Sequence, residues 1–175
     1  GGTSVGSVDS IRQIQHIIGQ QTDDCIVVVS ALGGITDQLL KAAHLALEAG
    51  EEYMEVYQAI RCRHMDMVNT LITNPTTRQM LCLELEGILD ELRSILFGVH
   101  LVKDLSDKTE AAIVSYGERM SSRIVTAALP GAVRKNSLQF IRTEHKQGQV
   151  LLNTELTEHL IHHAFSPIPH LSVVP

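Results

Sequence analysis

The stretch Cys25-Ile26-Val27-Val28-Val29-Ser30-Ala31-Leu32-Gly33-Gly34-Ile35-Thr36 constrains the fold more than any other segment. Its first five residues form a short, unbroken apolar run rich in β-branched side chains. Such a run predicts a fully buried strand of a parallel sheet. Ser30 to Gly34 then reads as a glycine turn, with Thr36 placed to cap a helix that begins at Asp37. A strand, a glycine turn and a helix in this order form the elementary unit of an α/β fold.

The same pattern recurs in part along the 175 residues. The opening stretch GGTSVGS has the glycines and hydroxyls of a second such turn, and apolar residues at helical spacing follow it over about 8–20. Helix is expected over 37–49, ending at Gly50. Two longer periodic stretches, 51–72 and 76–97, are separated by Asn74-Pro75, and Gly98 closes the second. They predict a helical hairpin over about 51–98. Ala111 to Ser115 reads as a second buried strand, Tyr116-Gly117 as its turn, and 118–129 as the next helix. Weaker strands are expected at 132–134 and 138–141, a helix capped by Thr154, and a further strand from Leu171. The expected architecture is a three-layer α/β sandwich with a largely parallel sheet and a helical hairpin insertion.

Composition narrows the function. The net charge of −6 argues against nonspecific nucleic-acid binding, which needs a basic surface. No apolar run approaches the ~20 residues of a membrane span. Cys25, Cys62 and Cys82 are odd in number, far apart and without a CxxC pair, which reads as free thiols in a reducing cytosol. His159 and His163 lie four residues apart and could share one helix face, but no third ligand and no HExxH pattern accompanies them, so they read as surface histidines. Neither a GxSxG elbow nor a P-loop nor GxGxxG occurs.

In parallel sheets ligands bind beyond the carboxyl ends of the strands. Three turns expected there, GGTSVGS, SALGGIT and SYGE, all combine glycine with small hydroxyl residues. Glycine lets the backbone approach a ligand, and the N–H groups opening the next helix favour an anion. Glu118 is the one carboxylate in this neutral rim and suits an ammonium group or a magnesium-bound water. Each feature also has a plain structural reading: GGTSVGS as a chain start, Ser30 as a turn hydroxyl, Thr36 as a cap and Glu118 as a first-turn glutamate facing the helix dipole.

Read together, GGTSVGS, VVVSALGGITDQLL (27–40), VSYGERMSS (114–122) and FIRTEHKQGQ (140–149) resemble, in order and spacing, the N-terminal part of the aspartate kinases of the amino acid kinase family. They are most similar to the kinase portion of the bifunctional aspartokinase–homoserine dehydrogenases. The resemblance covers essentially the whole chain. It implies one unit over 1–175, the N-terminal lobe of an amino acid kinase domain and incomplete by itself. The implied reaction is ATP-dependent phosphorylation of the side-chain carboxylate of L-aspartate to 4-phospho-L-aspartate, the first step toward lysine, threonine and methionine, with Mg2+ accompanying ATP. The implied roles are nucleotide-phosphate binding for Gly1, Gly2, Thr3 and Ser4, aspartate contacts for Ser30 and Thr36, and capture of the substrate ammonium by Glu118.

Two of the family's features have no counterpart here: a Lys-Phe pair directly before the two glycines, and a later GRGGSD stretch. The expectation is that these lie outside the chain, that the piece is not a competent kinase alone, and that it works as a homo-oligomer in the cytoplasm, without nucleic acid or membrane. Two other readings compete: a kinase for another amino acid or a carbamate, and a noncatalytic ligand-binding or oligomerisation module.

Overall fold

A computed structural model describes residues 5–146 and 148–175. Helix α1 (Val8–Gly19) leads into strand β1 (Cys25–Val28), and helix α2 (Ile35–Leu45) follows the glycine turn. Helices α3 (Glu52–Leu71) and α4 (Pro75–Val102) form the hairpin, and α5 (Asp107–Ala128) lies against it. Strand β2 (Val133–Arg134), the antiparallel pair β3 (Thr143–Lys146) and β4 (Gln149–Leu152), helix α6 (Thr154–Ala164) and strand β5 (Leu171–Val174) complete the order.

The main sheet has the order β1-β5-β2 and is parallel throughout. The α/β class, the parallel sheet and the helical hairpin all agree with the sequence. Register partners in a ladder share a face. Cys25 and Val27 of β1 sit opposite Leu171 and Val173 of β5, and all four side chains join the hydrophobic core. Ile26 and Val28 point to the other face and are 54 % and 71 % exposed. The fully buried strand expected at 25–29 is therefore buried on one face only: the core packs against the Cys25/Val27 face, and the Ile26/Val28 face is open among the described residues.

The hairpin behaves as its sequence dictates. Pro75 occupies the first turn of α4, where its missing N–H costs nothing, and the Asn74 side chain accepts the Thr77 N–H at 3.0 Å. Leu85, Leu89, Leu92 and Leu96 line one stripe and are fully buried, each contributing roughly 2 kcal/mol. Gly98 does not end the helix. The backbone stays helical to Val102, and Lys103 supplies the left-handed cap at φ 52°.

The largest correction concerns 107–128. Ala111 to Ser115 is helix, not strand, and Tyr116-Gly117 is no turn. Ser106 caps α5 by accepting the Thr109 N–H at 3.2 Å, and Ile113, Tyr116, Gly117, Met120, Ser121, Ile124 and Val125 form a buried stripe of helical period. Smaller corrections follow the same logic. Helix α2 starts at Ile35 and is capped by Gly34, so Thr36 lies inside it and caps nothing; α2 also stops at Leu45, short of 49. Residues 137–139 form a 3-10 turn where a strand was expected. Asn153, one residue before Thr154, caps α6 through the Leu156 N–H.

Candidate functional site

The carboxyl end of β1 is continuous with the glycine turn. The Val29 N–H donates to the Val174 carbonyl at 2.9 Å, extending the parallel ladder one residue past β1. From there the chain bends at Ser30. The Ser30 hydroxyl oxygen is sealed from solvent and has no hydrogen-bond partner among the described residues. Such a group carries an uncompensated desolvation cost unless a ligand satisfies it. Gly34 then turns the backbone at φ 79°, a conformation that glycine adopts without penalty. It has no side chain to cap α2, so the helix opens with no side-chain acceptor on its first N–H groups. An uncapped helix start favours an anion.

Helix α5 seats against this turn through two small residues. A Cβ at Gly117 would lie 2.6 Å from the Ala31 Cβ and 3.3 Å from a Leu39 methyl, so only glycine allows the helix to approach this closely. One turn later, fully buried Ser121 donates from its hydroxyl to the Ser30 carbonyl at 2.7 Å. The same Oγ lies 3.3 Å from the Glu118 carbonyl, a weaker second contact. Ser121 thus bridges the backbone of Ser30 to the backbone of Glu118.

Glu118 stands in the middle of α5, more than two turns past Asp107, so the first-turn reading of this glutamate is overturned. Its neighbours on the helix are all committed. The Arg119 guanidinium donates to the Glu91 carboxylate at 2.7 Å and lies 4.2 Å from the centre of the Tyr116 ring. The Tyr116 hydroxyl donates to the same carboxylate at 3.3 Å, and Arg123 pairs with Glu84. The hydrogen bond from Arg119 holds the Glu91 carboxyl below the usual carboxylate range. Glu118 itself is half-buried and makes no ion pair among the described residues.

The structure therefore ties the Ser30 turn to α5 at Glu118, while Thr36 is half-buried in the first turn of α2 and makes no side-chain hydrogen bond to either residue. Gly1, Gly2, Thr3 and Ser4 lie outside the described residues. The rest of their stretch is anchored: Val5 is buried, Ser7 caps α1, and Arg63 of α3 donates to the Gly6 carbonyl at 3.2 Å. Sequence reasoning missed Ser121. Its signal was the stripe at 113, 117, 121 and 124, which a helix starting at 118 conceals. No group of three or more His, Cys, Asp or Glu side chains that could hold a metal occurs among the described residues.

These features define the class of protein: an α/β domain whose glycine turn at the carboxyl end of a parallel strand carries a buried hydroxyl and is tied to a helix bearing the unpaired Glu118. Comparison with known proteins narrows it. The amino acid kinase family profile matches residues 1–172, and the chain belongs to that family. Aspartokinase 2, chloroplastic, of Arabidopsis thaliana is 31 % identical over 133 residues, which is 74 % of this chain and 23 % of the relative. The bifunctional aspartokinase/homoserine dehydrogenase of Buchnera aphidicola is 28 % identical over 135 residues, 74 % of this chain and 16 % of the relative. The chain thus spans less than a quarter of the length of these relatives. E. coli aspartokinase III in complex with lysine and aspartate (T-state) has the same fold, with a TM-score of 0.85 at 24 % identity over 99 % of this chain and 39 % of that one. Its complex with aspartate and ADP (R-state) gives a TM-score of 0.82 at 22 % identity, again over 99 % of this chain and 38 % of that one. Among the described residues, no helix is long and apolar enough to cross a membrane.

Proposed function

We propose that the chain is the aspartate-binding part of an aspartate kinase, which phosphorylates the side-chain carboxylate of L-aspartate with ATP to give 4-phospho-L-aspartate, the entry to lysine, threonine and methionine. The observation that carries this reading is the Ser30–Ser121–Glu118 bridge. It ties the backbone of the turn that carries the unsatisfied Ser30 hydroxyl to the backbone of α5 at half-buried Glu118. Glu118 is the partner for the substrate ammonium, and the Ser30 and Thr36 hydroxyls are donors to its carboxylates. The start of α2 has no side-chain cap, but Asp37 in its first turn offsets part of the dipole field there. The aspartokinase names of the relatives support the same assignment.

The nucleotide-phosphate role stays with Gly1, Gly2, Thr3 and Ser4. Mg2+ is proposed to arrive with ATP, held mainly by phosphate oxygens and water, as this ion usually is in kinases. Phosphoryl transfer depends on positioning and charge neutralisation, and the residues here position and orient the acceptor. Homo-oligomerisation, a following homoserine dehydrogenase part and one N-terminal lobe over 1–175 belong to the same proposal. So does a reducing compartment, given three unpaired cysteines; the plant relative above is named as chloroplastic.

Calorimetry with L-aspartate and, separately, with MgATP tests the assignment. Saturable heat with L-aspartate that Glu118→Gln weakens by at least about tenfold supports it. Binding of neither ligand identifies a noncatalytic module instead.

A further inference from the structure

A second cleft lies on the other side of α5. It is a cavity of about 550 Å³ between the start of α4, the second half of α5 and strand β2. It shares no residue with the β1 turn, Thr36 or Glu118. Two guanidiniums line it, Arg123 and Arg134. Arg123 is already paired with Glu84 at the rim and donates from a terminal nitrogen to the Arg119 carbonyl at 2.7 Å, which leaves only part of its fork for a ligand. Arg134 is half-buried on β2, opposite fully buried Val173, and has no hydrogen bond or ion pair among the described residues. Burial, and next to it the charge of Arg123, lower its basicity. Thr77 places the first turn of the 28-residue helix α4 at the same cavity, and that turn carries no acidic side chain. Asn74 caps the Thr77 N–H there, and no acidic side chain of that turn neutralises the positive end of the helix dipole. Met80, Leu81 and Ala127 give an apolar part of the wall beside Thr126, whose hydroxyl is taken up by the Ser122 carbonyl.

A half-buried cation beside a second cation is unfavourable unless an anion offsets it. Paired guanidiniums match the geometry of a phosphate group better than any other cationic side chains. We propose that this cleft is a binding site for a small phosphate monoester, its phosphate held by Arg134 and Arg123 and its short aliphatic part lying on Met80, Leu81 and Ala127. Glu84 keeps Arg123 in place at the rim and sets a limit on affinity, since it repels the same anion. The proposal does not depend on the aspartate reading of the other site.

The test is an NMR titration of the isotope-labelled chain with inorganic phosphate and with butyl phosphate. Saturable shifts centred on Thr77, Ala127 and Arg134 are expected, tighter for butyl phosphate because of the apolar wall. Arg134→Gln should weaken both by about tenfold or more, the loss of a charge-assisted pair. Arg134→Lys should recover part of the affinity. If Arg134→Gln does not fold, Arg123→Gln, which removes the second cation of the cleft, decides, with the same expected loss. An excess of L-aspartate should not displace either probe. Shifts scattered over the surface, binding indifferent to Arg134 and Arg123, or displacement by L-aspartate would overturn the assignment.

Discussion

Gly117 and Gly87 are both glycines inside long helices, yet the structure assigns them opposite roles. A Cβ at Gly117 meets the Ala31 Cβ at 2.6 Å, and neither of these short groups can rotate away. A Cβ at Gly87 meets nothing within 4 Å. Replacing a mid-helix glycine by alanine gains about 1 kcal/mol of helix propensity, whereas overpacking costs roughly 1–3 kcal/mol. Gly117→Ala should therefore destabilise the chain in urea unfolding, while Gly87→Ala should stabilise it. An equal effect of the two would contradict the close seating of α5 on the β1 turn.

At the same scale, Ser121→Ala leaves the Ser30 carbonyl short of its donor in a buried place. The expected loss is about 1–2 kcal/mol in the same assay, together with weaker aspartate binding. A variant with native stability and native affinity would show that the Ser30–Ser121–Glu118 bridge has no structural role.

Among the elements, α3 carries a buried titratable group. His64 is fully buried; its Nδ1–H donates to the Ile60 carbonyl at 2.7 Å, and Nε2 has no partner among the described residues. Burial lowers its pKa to about 4, with the charge of Arg63 acting in the same direction. The unfolded chain takes up a proton at the ordinary value of 6.5, and the folded chain resists it. Stability from this site is therefore complete above about pH 6.5 and falls as pH drops toward 4. The span corresponds to roughly 3 kcal/mol. Urea midpoints measured across that window should decline, and His64→Leu should flatten the decline; an unchanged slope in the variant would exclude His64 as the cause.

The elements also show what could be read beforehand. β1 and β5 were legible because β-branched runs have few other uses, and the α3–α4 hairpin because Asn74-Pro75 both breaks and caps. Helix α5 was misread at Ala111–Ser115, since a five-residue apolar run does not separate strand from buried helix, and Gly117 resembles a turn when its true role is to remove a Cβ. The β3–β4 pair escaped notice because β4 is exposed along its whole length and carries no alternation.

On the scale of the whole molecule, the parallel sheet fixes where ligands meet: the turn after β1 lies at its carboxyl end, and α5 crosses it there. Motif identity alone pointed to Ser30, Thr36 and Glu118. Their grouping depended on Ser121 and Gly117, which no local pattern distinguished from ordinary helix residues. The exposed Ile26 and Val28 form an apolar face on an edge strand, and such faces are commonly covered by further chain or a partner.

In the proposed site, Glu118 reads the ammonium of aspartate while the β1 turn reads its carboxylates. The most direct measurement compares L-aspartate with succinate, which has both carboxylates and no ammonium, in calorimetry on the native chain and on Glu118→Gln. The account predicts that Glu118→Gln loses at least about tenfold in affinity for L-aspartate, roughly 1.4 kcal/mol, and keeps its affinity for succinate. Equal losses for both ligands, or none for L-aspartate, would contradict it.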